Sequence, residues 1–372
     1  MDKRIISVAF SILVVISVWA SNTEESSVLK LAETLFTVPA PTGYEEPIVE
    51  AIQEILPPGC RTMRDNLGSL YLKLGKQKSR LAVCTPMDEA GYFVSGINPQ
   101  GYLRIDKAVF GPALIDSYHL GHPMIVWTEK GPIEGVLALP SLHILSSEVR
   151  NEFQKRPSLE LAYLDIGVRS EDEAQKIGVT MLDAVTPQRE LTRLAGSKIA
   201  GHSLGLKLCT ALVLDVAKRI APESTASNPT LVWMAQTKFP LRRSRPRSAL
   251  GALCVSAKIE AKSIVIVDVF PCDGQNQAGI MIGNGPVLVY SGNKDTKMQD
   301  RVQKLAQDKG ISLQLAPDHS SAVMNPFLSQ HNAVIGLFLP VKFSHTPAEV
   351  VDIKDVDSLR FMLSVLLQGE GI

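Results

Sequence analysis

The sequence predicts an α/β protein whose sheet is covered by helices on both faces, with a small β-rich domain inserted into it. Short, mostly apolar runs, at Leu81–Cys84, Leu231–Ala235, Ser263–Phe270 and Ala333–Phe343, alternate with stretches of helical period. A strand that is apolar on both of its faces belongs to a sheet buried on both sides, and interleaved helices supply the two covering layers. Between about residues 95 and 192 the texture changes to short alternating runs broken by Gly and Pro, which reads as a separate β-rich unit. With 372 residues, 45% of them apolar, the chain can bury a large core and fits two domains better than one.

Taken in order, the chain opens on Met1-Asp2-Lys3-Arg4, an apolar run from Ile5 to Trp19, and the small-residue pattern Val18-Trp19-Ala20 before polar Ser21-Asn22-Thr23-Glu24-Glu25. That is the pattern of a secretory signal peptide over residues 1–20, so the expected location is periplasmic or extracellular. An uncleaved N-terminal membrane anchor is the alternative, although the apolar run is short for a span. Ser27–Phe36 and Glu45–Leu56 have helical spacing, with Pro41-Thr42-Gly43 as the turn between them. Residues 21–94 and 193–372 form the α/β domain, which resumes after the insert with helical stretches at Leu204–Ile220 and Asp300–Lys309. The insert, 95–192, contains Tyr102–Ile105 and Gly121–Trp127 as strands, with turns at Asn98–Gly101 and Glu129–Pro132. In a sheet of this class, functional residues gather beyond the carboxyl ends of the strands.

Charge is balanced at 38 basic and 38 acidic residues, so nothing global recruits nucleic acid or an anionic membrane surface. The run Arg242-Arg243-Ser244-Arg245-Pro246-Arg247 reads as a solvated loop, with a local anion-binding patch as the alternative. Five widely spaced cysteines form neither a CxxC pair nor a disulfide framework, and Cys84 and Cys254 lie in apolar runs where a thiol acts as a small buried hydrophobe.

The polar residues near the strand ends carry the chemistry. They fall in Thr37-Val38-Pro39-Ala40-Pro41-Thr42-Gly43-Tyr44-Glu45-Glu46, in Thr85-Pro86-Met87-Asp88-Glu89-Ala90-Gly91, in Leu164-Asp165-Ile166-Gly167, in Ile266-Val267-Asp268-Val269 and in Phe343-Ser344-His345-Thr346-Pro347-Ala348-Glu349-Val350. In this order the motifs resemble the tetrahedral (TET) and glutamyl aminopeptidases, dinuclear-zinc exopeptidases, from about Val28 to the C-terminus. The resemblance implies a zinc-exopeptidase-like α/β domain with a mixed sheet. It also implies an inserted β-barrel-like domain that mediates dimerisation, and hence a homo-oligomer, a dimer or larger.

The resemblance further implies two zinc ions held by two His, two Asp and a Glu, with a second Glu as general base. Asp88 matches the Asp that orients the first His, Asp268 matches a terminal metal carboxylate, and His345 matches the late His. The remaining positions depart from the pattern. Pro86 stands at the first His, Gly201 at the bridging Asp, and Gln236-Thr237-Lys238 where a Gln-Glu-Glu would supply base and ligand. Pro offers no lone pair to a metal. Loss of the bridging carboxylate removes the group that offsets repulsion between two close divalent ions. Thr237, at the general-base position, cannot take a proton from water near neutral pH. Lys238 puts a cation where a metal needs an anion, and we expect its ammonium to pair with Asp268, with Asp88 as a further partner.

Gly201-His202-Ser203-Leu204-Gly205 also matches the nucleophile elbow of serine hydrolases, and Ser203, Asp268 and His345 follow the triad order. The strand that an elbow needs before it is short and broken by Gly and Lys. His119, His122 and His143 read as surface or turn residues of the insert. His202 and His319 are the substitutes if some metal binding survives, and Asp318-His319-Ser320-Ser321 occupies a stretch the family places near substrate.

The leading expectation is an exported, catalytically inactive aminopeptidase homologue that binds short peptides or acts by assembly, with no cofactor. Two alternatives stand beside it: a metal-dependent aminopeptidase using zinc or another divalent ion at a remodelled site, and a serine hydrolase using Ser203.

Overall fold

A computed structural model describes residues 26–75, 77–108, 118–155, 158–220, 228–239, 248–272, 279–290, 297–317, 321–331 and 333–369. The signal segment, the Arg242–Arg247 run and the residues Asp318, His319 and Ser320 lie outside them. Among the described residues no helix is long and apolar enough to cross a membrane.

Two helices, Ser27–Phe36 and Glu46–Ile55, precede β1 (Thr62–Arg64), β2 (Leu70–Lys73) and β3 (Leu81–Pro86). The chain then enters six strands: β4 (Tyr92–Ile97), β5 (Leu103–Lys107), β6 (Pro123–Thr128), β7 (Gly131–Ala138), β8 (Tyr163–Asp165) and β9 (Ala184–Pro187). These close into a barrel in the order β4-β5-β8-β7-β6-β9. Its interior is filled by alternate residues such as Tyr92 and Val94, Leu103 and Ile105, and Met124 and Val126. The first barrel strand therefore starts at Tyr92, a little before residue 95.

After the barrel come β10 (Thr192–Arg193), β11 (Lys198–Gly201), the helix Leu204–Arg219, β12 (Thr230–Met234), β13 (Ser263–Pro271), β14 (Val287–Tyr290), β15 (Gln314–Pro317), β16 (Ala333–Val341) and β17 (Glu349–Asp352). The main sheet has the order β1-β2-β12-β3-β13-β16-β14-β15, and a three-stranded side sheet has the order β10-β11-β17. The four central strands, β12, β3, β13 and β16, run parallel, with antiparallel pairings toward both edges. Every residue of β3 and β16 is buried, as the uniform apolar runs predict. Successive residues alternate between two cores. Leu81, Val83, Val265, Val267 and Leu337 face the layer containing the helix Leu204–Arg219, and Ala82, Cys84, Ile264, Ile266 and Phe338 face the opposite layer.

The barrel joins the α/β domain at two crossovers, and both are tied to one buried ionic cluster. Glu89 lies just before the barrel and Arg189 just after it. Their carboxylate and guanidinium are in direct contact, with side chains 1% and 5% exposed. Lys207, on the helix Leu204–Arg219, stands 3.7 Å from the same carboxylate and donates to Val38 O at 2.8 Å. Arg189 also donates to Phe36 O at 2.8 Å and lies over the Phe36 ring. Burial alone would push the Glu89 carboxyl up, but Arg189 and Lys207 outweigh it and hold it down at about 2. Gly91 is required here, because a Cβ on it would lie 2.7 Å from the Pro41 side chain where the two segments bridge.

His119 corrects the sequence expectation of a surface residue. It is buried, its Nδ1 lies 2.6 Å from Tyr92 Oη, and its ring meets that of His202 edge-on at 5.0 Å. His122 neighbours it at 6.2 Å between ring centroids, whereas His143 is exposed.

Removing one member of a buried pair leaves the other charge uncompensated. Arg189→Met is expected to cost about 3–5 kcal/mol in chemical denaturation. The double variant Arg189→Met/Glu89→Gln should recover part of that loss; equal losses in the single and double variants would contradict the assignment.

Candidate functional site

The residues singled out from the sequence come from five chain segments that meet beyond the carboxyl ends of the central strands. Pro86 ends β3 and is level with Met234 at the end of β12, which leads into Thr237 and Lys238. Asp268 lies near the end of β13, His345 in the loop after β16, and Gly201 at the end of β11. Pro86 is accommodated because its carbonyl still accepts from Thr210 Oγ1 at 3.2 Å, and the next N–H, of Met87, donates to Met234 O at 3.0 Å.

Asp88 is fully buried and is met by three donors: Thr42 Oγ1 at 2.8 Å, Thr237 Oγ1 at 2.5 Å and the Lys238 backbone N–H at 2.9 Å. A buried carboxylate with three donors is satisfied without an imidazole or a metal. Glu45 completes the same cradle, accepting from the N–H groups of Gly43 at 3.0 Å and Gln236 at 2.9 Å. Two carboxylates thus hold the Gln236-Thr237-Lys238 turn. Burial and the nearby Asp88 push the Glu45 carboxyl up to about 7.

Gly201 cannot readily regain a side chain. A Cβ there would lie 2.8 Å from Phe36 Cζ and 3.3 Å from Phe36 Cε2, so the Phe36 ring fills the space that a side chain at this position would need. Phe36 is itself buried under Arg189.

Lys238 meets Asp88 through its backbone, which corrects the expected ammonium pairing. The ammonium is within electrostatic reach of Asp268, Glu349, His345 and Cys209. Among the described residues, no ion pair of 4.0 Å or less joins it to Asp268 or Asp88. Asp268 accepts from the Val269 N–H at 2.8 Å, and burial raises its carboxyl against the pull of Lys238. Glu349 accepts from the N–H groups of Gly205 and His345, both at 2.9 Å, fixing the His345 loop against the helix Leu204–Arg219. His345 is exposed as a residue, while its ring is partly dehydrated by its surroundings. That desolvation and the Lys238 charge draw its pKa below the usual imidazole value.

Four non-glycine residues around the site adopt left-handed backbone: Ser203 at φ 51°, Gln236 at 53°, Phe343 at 56° and His345 at 64°. Such conformations cost of order 1–3 kcal/mol each and persist where surrounding structure over-determines them.

For Ser203, the structure supplies both flanks of an elbow, with β11 directly before it and the helix Leu204–Arg219 directly after. The strand that looked too short exists because it pairs with β10 and β17 in the side sheet. Among the described residues, however, no hydrogen bond links Ser203, His345 and Asp268, so the triad chemistry is not assembled. His202 lies behind the site, half-buried beside Arg189 and His119. Burial first, then those neighbours, draw its pKa down to about 3, and both its ring nitrogens lack a partner.

A family model described as M42 glutamyl aminopeptidase matches residues 68–362. The chain belongs to this family. It is similar to the lysyl aminopeptidase of Pyrococcus furiosus, with 24% identity over 91% of this chain and 96% of that protein. Among solved structures, it is similar to the TET1 peptidase of Pyrococcus horikoshii, with a TM-score of 0.78 and 22% identity over 92% of this chain and 99% of that one. An aminopeptidase from the archaeon Desulfurococcus kamchatkensis gives 0.77 and 20% over 92% and 94%. The α/β domain with an inserted barrel is thus a fold shared with these peptidases.

The glutamyl aminopeptidase family's divalent-metal chemistry does not fit the donor set of this chain. Among the described residues, no group of three or more His, Cys, Asp and Glu side chains is placed to hold a metal ion. Asp88 is committed to hydrogen bonds, the Phe36 ring leaves no room for a side chain at Gly201, and the Lys238 charge acts on Asp268.

Thr42, Glu45, Phe36 and Arg189 were not picked out from the sequence. Thr42 and Glu45 lie inside the upstream motif and could have been found there; the other two carry no local signal.

Glu45 generates a pH test. Its folded pKa of about 7 exceeds the ordinary value of 4.5, so the folded chain binds this proton more tightly than the unfolded chain. Its stabilising contribution is complete below pH 4.5 and is lost as pH rises through about 7. A Glu45→Gln side chain can still accept both N–H groups. The fall in Tm between about pH 5 and about pH 7.5 should therefore be smaller in this variant than in the wild type. An equal fall in both would exclude Glu45 as the source.

Proposed function

We propose that this chain is a non-hydrolytic member of the glutamyl aminopeptidase family, acting through ligand binding at the former catalytic pocket and through self-assembly. The observation that carries the reading is the fate of Asp88. Its carboxylate is consumed by Thr42, Thr237 and the Lys238 N–H, the last two from the segment where the family would carry base and ligand. Pro86 supplies no ligand, and Thr237 is not a base at neutral pH. A remodelled single-metal site would have to form from Asp268 and His345 against the Lys238 ammonium, and electrostatics opposes it.

Self-assembly draws support from the closed barrel and from relatives described as a dodecamer and as tetrahedral or octahedral shells. Export rests on the basic start and apolar run ahead of Ser21.

An amino-acid anilide panel, run on the purified chain with added zinc or cobalt, tests the reading. We expect no release above the buffer rate and no change in His345→Ala. Metal-dependent turnover that His345→Ala abolishes would overturn it.

A further inference from the structure

At one end of the main sheet an open strand edge runs beside a groove. β15 pairs with β14 on one side, and among the described residues no strand pairs with its other side. The Gln314 N–H donates to Pro286 O at 2.9 Å, toward β14. Backbone groups alternate in direction along a strand, so the N–H and C=O of Leu313 and Leu315 point outward. Pro317 ends the open edge, because it has no N–H to offer. Beside this edge lies a groove of about 520 Å³, lined by Ile311, Leu313 and Leu315 and, from the helix Lys297–Asp308, by Asp300, Gln303 and Lys304. Leu315 is 46% exposed. Asp300 and Lys304 are both exposed and stand one helical turn apart.

We propose that this edge pairs with the same edge of a second copy, β15 against β15 in antiparallel, so that the two sheets become continuous. The proposal rests on the self-assembly reading and adds to it a surface on the α/β domain, distinct from the barrel.

The edge is complementary to itself. A two-fold axis through Gln314 sets Leu313 opposite Leu315 of the second copy, and Leu315 opposite its Leu313. Both residues face outward, so each pair exchanges both of its N–H···O bonds. Directly opposed residues share a face of the sheet, so the leucines of the two copies meet on the groove side. The same axis sets the two helices antiparallel, with Asp300 of each facing Lys304 of the other. A foreign extended peptide would satisfy the backbone edge. An acid and a base at fixed spacing along the groove, however, are matched residue for residue by an antiparallel copy of the same helix. The contact is isologous and therefore closes, and a short strand ended by Pro317 does not template an open fibre. One isologous contact stops at a dimer; a second one, at the barrel, carries assembly further.

Sedimentation velocity on the full chain, over a concentration series, tests this with Leu315→Pro, Lys304→Glu and Asp300→Lys/Lys304→Glu. Proline at 315 removes an outward donor and leaves the pairing with β14 intact. We expect Leu315→Pro and Lys304→Glu each to sediment at about half the wild-type mass or less. The double charge exchange should return to the wild-type mass, which separates a lost contact from a lost fold. In a second arm, Leu313→Cys mixed with Leu315→Cys under oxidising conditions should give a disulfide-linked dimer above the wild-type background. Opposed residues of such a pair lie about 5.5 Å apart at Cα, within disulfide reach. The inference is overturned if either single variant keeps the wild-type mass, if the double exchange does not restore it, or if the mixed thiols form no crosslink. A wild-type chain that stays monomeric throughout would overturn the self-assembly reading as well, whereas assembly indifferent to all three variants sinks the edge pairing alone.

Discussion

A carboxylate buried at the head of a parallel sheet has to be answered by donors, and the way Asp88 is answered decides the rest of this site. Thr237 and the Lys238 N–H reach it from the end of one strand, and Thr42 reaches it from the turn between the first two helices. Once those donors are in place, Asp88 is no longer available to orient an imidazole, and the turn after β12 is fixed in a left-handed conformation at Gln236. Glu45 reinforces the same turn from the other side.

The region behind this cradle is just as closed. Phe36 fills the volume beside Gly201, Arg189 covers Phe36, and Glu89 anchors Arg189. That line of contacts runs through both barrel crossovers, so the former bridging position and the domain junction are stabilised together. His202, with two unpartnered ring nitrogens, sits within it beside two cations, an arrangement opposed to metal binding.

Much of the fold was legible because it is written in local periodicity. The Ser27–Phe36 helix was read with the bounds it has, and the apolar runs gave the central strands to within a few residues. What escaped was long-range. Arg189 and Glu89 lie 100 residues apart, and nothing around either residue announces the other. Phe36 was read only as the end of a helix, and packing shows that its ring crowds the Cα of Gly201. The β11 strand escaped because its pairing partner, Glu349–Asp352, lies far along the chain. The ammonium of Lys238 was expected to pair with a carboxylate; its backbone N–H meets Asp88 instead, and the ammonium acts on Asp268 without an ion pair of 4.0 Å or less.

The central claim is that hydrogen bonds and an ammonium stand where the glutamyl aminopeptidase family would place metal ions. The most direct measurement is diffraction at the zinc absorption edge from crystals of this protein soaked in zinc. The account predicts no anomalous peak between Asp88, Asp268 and His345, with Thr237 and the Lys238 N–H still bonded to Asp88. A peak at that position, with Lys238 swung away, would contradict it.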